Sequence, residues 1–227
     1  MKVSIIIPIY NEEKTLVEIL EHVNSINIPF EKEILVINDG STDRSSELLT
    51  HIAGITVITH SKNLGKGAAI RTGIQKVTGD IVLFQDADKE YDINDYIDIL
   101  SSFLDNSIDV VYGSRFIGKK KEGFFIHTYL ANKLLSFLTR LFIKLPVTDM
   151  ETCYKAFRTP IIKDLVLVED RFGIEPEMTI KMARIPGIRY KEIPISYTGR
   201  SIKEGKKIRW YDGVRAIWCI VKYGTFG

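Results

Sequence analysis

The run Ile81-Val82-Leu83-Phe84-Gln85-Asp86-Ala87-Asp88 constrains this chain most, because an apolar stretch stops on two carboxylates one residue apart. Residues 81–84 have the length and composition of a fully buried strand, and Gly79-Asp80 punctuates its start. Asp86 and Asp88 are therefore predicted at its carboxyl end, the edge where open α/β sheets bind ligands. Residues i and i+2 of an extended segment point the same way, so both carboxylates can face one hard cation. Mg²⁺ commonly takes one or two carboxylates and completes its shell with substrate phosphates. Read alone, so short a motif as Asp-x-Asp is better taken as an acidic turn closing a strand, and it is the rest of the chain that reverses this.

Before that run, Val3–Pro8 reads as a central strand, followed by Tyr10-Asn11-Glu12-Glu13, in which Asn11 is expected to cap a helix with Leu16, Ile19, Leu20 and Val23 on its inner face. Glu33–Gly40 is a second strand ending on Asp39, and Ser41-Thr42-Asp43 starts a second helix. Ile55–Thr59 is a third strand, leading through Asn63-Leu64-Gly65-Lys66-Gly67 into a third helix, and Asp109–Gly113 is a fifth. Strands and helices alternating at this rhythm predict an α/β fold, a mainly parallel doubly wound sheet with flanking helices. Asp39, Asp86 and Asp88 then share one edge of it. After residue 145 five prolines break the pattern, and a smaller region laid over the sheet edge is expected. Lys119–Gly123 is expected to be a mobile, solvated loop.

A single domain over residues 1–227 accommodates all of this. Apolar content of 45% and charged content of 26% are ordinary for a globular chain, but the net charge of +2 conceals an asymmetry. Residues 1–110 carry 9 Lys/Arg against 18 Asp/Glu, while residues 111–227 carry 22 against 11, so the second half calls for an anionic partner. Cys153 and Cys219 have neither knuckle nor redox spacing, and no signal peptide is recognised, so a reducing cytoplasm is expected. No stretch reaches the ~18 apolar residues of a spanning helix. His127–Leu145 and Ile208–Phe226 instead mix bulky apolar and aromatic residues with Lys and Arg, the composition of helices that lie in a membrane interface or pack on a core.

Tyr10 and Asp39 fit a nucleotide, since a ring at the end of strand one can stack on a base and a carboxylate at the end of strand two can accept from a ribose or base. Gly65-Lys66-Gly67 at a helix start resembles a phosphate cradle, but the P-loop spacing is missing. Gly-x-Gly-x-x-Gly does not follow strand one, which argues against a nicotinamide or flavin oxidoreductase. Arg115 ends the fifth strand, where its fork suits a diphosphate. Far downstream, Tyr197-Thr198-Gly199-Arg200-Ser201 and Glu204-Gly205-Lys206-Lys207 form a basic, glycine-punctuated segment able to close over an anionic leaving group.

The ordered set Pro8-x-Tyr10-Asn11-Glu12, Asn38–Asp43, Asn63-x-Gly65-Lys66-Gly67, Asp86-Ala87-Asp88 and Gly113-Ser114-Arg115 resembles glycosyltransferase family 2. Thr148–Lys155, Glu192–Tyr197 and Arg200–Lys207 resemble its polyprenyl-phosphate branch, the dolichol-phosphate mannose synthase-like enzymes. The resemblance implies a GT-A (Rossmann-like) fold and an inverting hexosyl transfer from a nucleoside-diphosphate sugar, GDP-mannose or UDP-glucose, with Mg²⁺ or Mn²⁺ as cofactor. Carried over by residue, Pro8, Tyr10, Glu12, Ile37 and Asp39 hold the nucleoside, and Asp86, Ala87 and Asp88 lie at the metal and diphosphate. Lys66, Arg115, Arg200 and Lys206 meet phosphates. Glu90 stands where the branch commonly has glutamine; it adds a ligand to the metal set Asp86, Asp88 and Glu90 and alters the charge there. On this reading residues 1–115 are the nucleotide-sugar half and 116–227 the acceptor half. The partners implied are a polyprenyl phosphate lipid, a membrane surface met peripherally on the cytoplasmic face and a membrane-protein partner, with no nucleic acid.

The acceptor decides whether a base is needed. A phosphate monoester, second pKa ~6, arrives deprotonated, whereas a sugar hydroxyl needs a base, for which Asp149 and Glu151 are available. The basic half and the two amphipathic segments favour the lipid phosphate. A hydroxyl of a cell-surface glycan is the alternative. A nucleotidyltransferase would carry a glycine-rich basic loop where Tyr10-Asn11-Glu12-Glu13 stands, and a catalytically silent sugar-nucleotide-binding subunit would not need Asp86, Asp88 and Arg115 intact.

Overall fold

A computed structural model describes residues 1–118, 121–122, 126–200, 207 and 210–226. Its centre is a seven-stranded sheet built from β1 (Lys2–Ile9), β2 (Glu31–Asn38), β3 (Thr56–Thr59), β4 (Ile81–Phe84), β5 (Val110–Ser114), β7 (Lys155–Arg158) and β8 (Tyr190–Pro194). Two further strands, β6 (Lys121–Glu122) and β9 (Tyr197–Thr198), pair with each other. The order in the large sheet is β3-β2-β1-β4-β7-β5-β8, with β7 antiparallel to both neighbours and every other pairing parallel. Ile5, Ile6, Ile7, Val36, Ile37 and all of β4 are buried, as strands covered on both faces must be.

The order reverses between β1 and β4. β2 and β3 run outward on one side of β1, whereas β4 starts the other side, so the crevice at the carboxyl ends of β1 and β4 is the switch point of the sheet. The early helices follow the apolar spacing: α1 (Leu16–Ser25) buries Leu16, Ile19, Leu20 and Val23, α2 (Ser45–Leu49) buries Leu49, and α3 (Lys66–Lys76) buries Ile70 and Ile74. The short α4 (Tyr96–Ser101) precedes β5, and α5 (Ile126–Arg140), α6 (Thr159–Asp164), α7 (Ile174–Ala183) and α8 (Trp210–Phe226) complete the fold.

Two local expectations are corrected. Asn11 does not cap α1; it adopts φ 52°, and its Oδ1 accepts from Thr42 N at 2.8 Å, tying the turn after β1 to the turn after β2. A short Asn side chain tolerates the left-handed conformation that brings it there. Residues after 145 do not merely cover the edge, because β7 enters the middle of the sheet between β4 and β5. Its Lys-Ala-Phe-Arg sequence is too short and too charged for a periodicity argument, since Lys155 satisfies its charge inside the fold. In the expected Lys119–Gly123 loop, Lys121 and Glu122 form β6, and Lys119, Lys120 and Gly123 lie outside the described residues.

The two amphipathic segments are α5 and α8, which lie side by side with Phe142 against Gly224. α5 buries Leu135, Ser136 and Thr139, and α8 buries Ala216, Cys219, Ile220 and Tyr223. Their other faces stay apolar: Leu130, Leu134 and Phe137 on α5 and Val214, Trp218 and Val221 on α8 are exposed. Glu169 holds α8 in place, accepting from Arg215 at 2.7 Å, Tyr223 Oη at 2.7 Å and Lys222 at 3.2 Å. Burial opposes its charge, but these three donors outweigh burial and hold the carboxyl down at about 2.

A carboxyl lowered on folding contributes stability that is complete above its unfolded pKa and is lost as pH falls toward the folded value. Acid titration of the wild type is expected to loosen α8 between about pH 4.5 and 2, as read by hydrogen exchange along the helix. Glu169→Gln is expected to show that looseness already at pH 7, with a stability loss on the order of 2–3 kcal/mol in urea.

Candidate active site

At the switch point the buried amide of Gln85 accepts from Tyr96 Oη at 2.7 Å and Tyr154 Oη at 2.8 Å and donates to Asp86 O at 2.7 Å. This fixes the backbone where β4 becomes the acidic turn. Ala87 is buried, and its carbonyl accepts from Thr15 Oγ1 at 2.7 Å, clamping the turn against the start of α1.

The carboxylates meet cations from distant parts of the chain. Lys66, at the first position of α3, lies 2.8 Å from Asp86 and 3.2 Å from Glu175. Burial alone would lower the Lys66 ammonium, but Asp86 and Glu175 hold it well above the usual value. Burial likewise works against a charged Asp86, and Lys66 keeps that carboxyl below the ordinary range. Arg200 sits 2.7 Å from Asp88 and 3.4 Å from Glu12, and its backbone N donates to Glu90 at 2.9 Å. Asp88 nevertheless rises to about 7, from burial first and then from the like charges of Asp86 and Glu90. Among the described residues, Lys66 and Arg200 meet these three acids at ion-pair distance.

Lys207 lies 2.7 Å from Glu12, donates to Tyr10 O and stands 5.7 Å from the centre of the Tyr10 ring. Tyr10, Glu12, Asp86, Asp88, Glu90 and Arg200 thus come together, with Lys66 behind them. Lys206, assigned to a phosphate by the resemblance, lies outside the described residues. Asp39 is buried beside this group, accepting from Leu64 N at 2.9 Å, Gly65 N at 2.7 Å and the His60 ring at 2.7 Å. It shapes the loop that presents Lys66. Pro8 and Ile37 face each other across β1 and β2, with the Ile37 side chain wholly buried.

Arg115 and Asp149 form a separate pair further along the edge. Arg115 is 6% exposed and Asp149 fully buried, and the fork closes with Nε–Oδ2 and Nη2–Oδ1 both at 2.7 Å. The Arg115 backbone N adds a third bond at 2.9 Å. The guanidinium lies 5.1 Å from the centre of the Tyr197 ring, whose hydroxyl donates to Glu90 at 2.9 Å, so the pair joins the acidic cluster through one aromatic residue. Glu151, two residues on, has a buried Oε1 without a hydrogen-bond partner among the described residues, and burial with the nearby Glu175 charge pushes it up to about 7.

Carboxylate oxygens suit a hard divalent ion better than a soft one. Asp86 and Asp88 fit such an ion: they are one residue apart on a held turn, and the burial and like charges that raise Asp88 are what a bound cation would offset. Among the described residues no group of three or more His, Cys, Asp or Glu forms a cage of its own. Glu90 has turned to Arg200 N and Tyr197 Oη.

Two contributors had no role of their own in the motif reading. Lys207 closes the basic segment named there, one residue past the assigned lysine. Glu175 lies in Gly173-Ile174-Glu175-Pro176-Glu177, where a carboxylate in a helix buried almost all round was the available signal.

Comparison with solved structures matches this architecture along nearly the whole chain. Glucosyl-3-phosphoglycerate synthase from Mycobacterium tuberculosis, solved with Mn²⁺, UDP and glucosyl-3-phosphoglycerate, superposes with a TM-score of 0.72 over 98% of this chain and 79% of its own, at 17% identity. Mannosyl-3-phosphoglycerate synthase from Rubrobacter xylanophilus gives 0.73 over 98% and 72%, at 18% identity. The mixed seven-stranded sheet with its acidic turn at the switch point is the GT-A fold of a glycosyltransferase. Residues 4–166 match the family Glycosyl transferase family 2, and the chain belongs to that family. An uncharacterized protein of Methanocaldococcus jannaschii is 29% identical over 215 residues, 91% of this chain and 86% of that protein. The undecaprenyl-phosphate 4-deoxy-4-formamido-L-arabinose transferase of Salmonella choleraesuis is 30% identical over 215 residues, 90% of this chain; the matched region spans 62% of that enzyme.

The Arg115–Asp149 fork is expected to be stringent about geometry as well as charge. Arg115→Lys keeps the cation but forfeits the bidentate contact, with an expected loss of about 2 kcal/mol in urea unfolding. Arg115→Ala strands a buried carboxylate and should cost about 3–5 kcal/mol.

Proposed function

We propose that this glycosyltransferase moves a hexose from a nucleoside-diphosphate sugar to a polyprenyl phosphate, with inversion, at a membrane surface. The observation that carries the acceptor assignment is the apolar face of α5 and α8, exposed beside a strongly basic half of the chain. Trp218 stands within it, with Arg215 4.2 Å and Lys222 4.7 Å from the centre of a ring face. Apolar side chains, an interfacial tryptophan and cations at one surface suit an anionic lipid headgroup and the chains beneath it. The relative named as an undecaprenyl-phosphate transferase supports the same acceptor class. No helix among the described residues is long and apolar enough to cross a membrane, so the contact proposed is peripheral, on the cytoplasmic face.

On the donor side, GDP-mannose and UDP-glucose are the sugar nucleotides the family resemblance favours, and the UDP and Mn²⁺ bound by the mycobacterial neighbour support a nucleoside diphosphate with a divalent ion. Asp86 and Asp88 would hold Mg²⁺ or Mn²⁺, which when bound supplies positive charge against the departing diphosphate. Tyr10 offers a ring to the base, and Pro8, Glu12, Ile37 and Asp39 frame the nucleoside. Lys66, Arg200 and Lys207 turn from carboxylates to phosphate oxygens, and the resemblance assigns Lys206 to a phosphate as well. An oxygen of the acceptor phosphate attacks the anomeric carbon in line as the bond to the diphosphate breaks. Positive side chains already in place stabilise the charge that grows on the leaving group, a contribution of several kcal/mol. The acceptor monoester, second pKa ~6, needs no base near neutral pH.

A sugar hydroxyl is the second reading, favoured by one observation: Glu151, pushed up to about 7, has the proton affinity a general base for a hydroxyl requires.

Incubation with Mn²⁺, a sugar nucleotide and a short-chain prenyl phosphate is expected to yield glycosyl prenyl phosphate and free nucleoside diphosphate, seen by mass spectrometry. Product on glycan hydroxyls alone would transfer the assignment to the second reading. Asp88→Asn is expected to cut turnover by roughly 10²-fold or more. In flotation assays the wild type should rise with anionic vesicles and release as salt increases, whereas Trp218→Ser combined with Val221→Ser should stay at the bottom.

A further inference from the structure

Glu175 opens α7 at 4% exposure. One of its oxygens lies 3.2 Å from Lys66 Nζ, and the other is bonded to Lys155 Nζ. Lys155 is fully buried and also donates to Thr152 O at 2.5 Å. Lys66 in turn divides itself between Glu175 and Asp86, 2.8 Å away. Asp86, Lys66, Glu175 and Lys155 therefore alternate in sign along one line that runs from the acidic turn into the interior.

The order of that line has a chemical consequence. Asp86 is the nearer partner of Lys66, and it is also a carboxylate offered to the divalent ion in the transferase reading, on which this inference rests. An Asp86 engaged with an ion gives up much of its hold on Lys66. Lysine is a point charge on a flexible four-carbon stem and does not keep its place unaided. Glu175 still holds it from behind. Lys155 occupies the second oxygen of Glu175 and balances its charge, so Glu175 neither competes with the diphosphate for Lys66 nor repels it. We propose that Glu175 is a positioning residue, which keeps the Lys66 ammonium at the donor diphosphate while Asp86 serves the ion.

Glu177 provides the contrast. It lies on the same helix and is equally buried, yet its oxygens accept from Val168 N, Glu169 N and Lys181, and it has no contact with Lys66.

The test is calorimetric titration of UDP and GDP, with and without Mn²⁺, into the wild type, Glu175→Gln, Glu175→Gln/Lys155→Met, Glu177→Gln, Lys66→Met and Lys66→Met/Glu175→Gln. The Glu175→Gln/Lys155→Met pair removes both charges together, so an unstable single variant does not decide the outcome. For whichever of UDP and GDP the wild type binds, the first two variants are expected to weaken binding about tenfold, leaving binding of the free nucleoside unchanged. Glu177→Gln should stay within about twofold of the wild type, and Glu175→Gln should add nothing once Lys66 is methionine. In turnover the loss should appear in the donor KM and not in the acceptor KM. Wild-type affinity retained by Glu175→Gln, or an equal loss in the Lys66→Met background, overturns the role of Glu175 alone. Failure of the wild type to bind either nucleoside diphosphate overturns the donor-site reading, and this inference with it.

Discussion

Everything at the functional edge depends on the negative charge gathered where β1 and β4 end. Glu12, Asp86, Asp88 and Glu90 share one crevice, and only Lys66, Arg200 and Lys207 oppose them at ion-pair distance among the described residues. Burial in a partly dry crevice disfavours a charged carboxyl, and neighbouring like charges add to the effect. Asp88, pushed up to about 7, is the acid that meets both. The cluster is strained toward any cation that can enter. Its own cations are held by salt bridges that a diphosphate could take over, since phosphate oxygens match ammonium and guanidinium donors as well as carboxylates do.

The charge asymmetry of the chain acquires a physical meaning in this arrangement. The acids come from residues 12 to 90, whereas Arg200 and Lys207 come from far down the basic half. Folding joins the two halves at the switch point, through a segment that crosses from β8 past β9. Other cations of the basic half, Arg215 and Lys222, stand on α8 beside exposed apolar side chains. One composition bias thus supplies cations in two places, at the acidic crevice and beside the apolar side chains of α8.

Much of this was legible beforehand, for an identifiable reason. β1, β2 and β4 are continuous apolar runs that end on turns, and a buried parallel strand leaves that trace in any sequence. Their acidic tips followed from strand direction alone. β7 left no such trace, because a four-residue strand that carries a buried lysine reads as a loop until the partner carboxylate is known to be Glu175. Asn11 was misread for a related reason: a residue able to cap a helix is equally able to adopt positive φ and bridge two turns, and only the nearby Thr42 backbone decides. Lys207 and Glu175 act through contacts spanning 195 and 109 residues, to Glu12 and Lys66 respectively, and no local pattern encodes distances of that kind.

The geometry also weighs on the choice of acceptor. Asp149 has both oxygens committed to the Arg115 guanidinium and accepts a third bond from the Arg115 backbone N, so using it as a base would mean breaking a buried fork whose loss costs about 3–5 kcal/mol. That expenditure would fall on each turnover and offset what a base contributes, typically 10²- to 10⁴-fold in rate. Glu151 is free of such a fork, and its proton affinity comes first from burial and then from the nearby Glu175 charge, which Lys66 and Lys155 pair. An acceptor that arrives already ionised asks neither carboxylate to move. With Asp149 locked in its fork, an acceptor that arrives already ionised is the one the proposed transfer can use without breaking a buried ion pair.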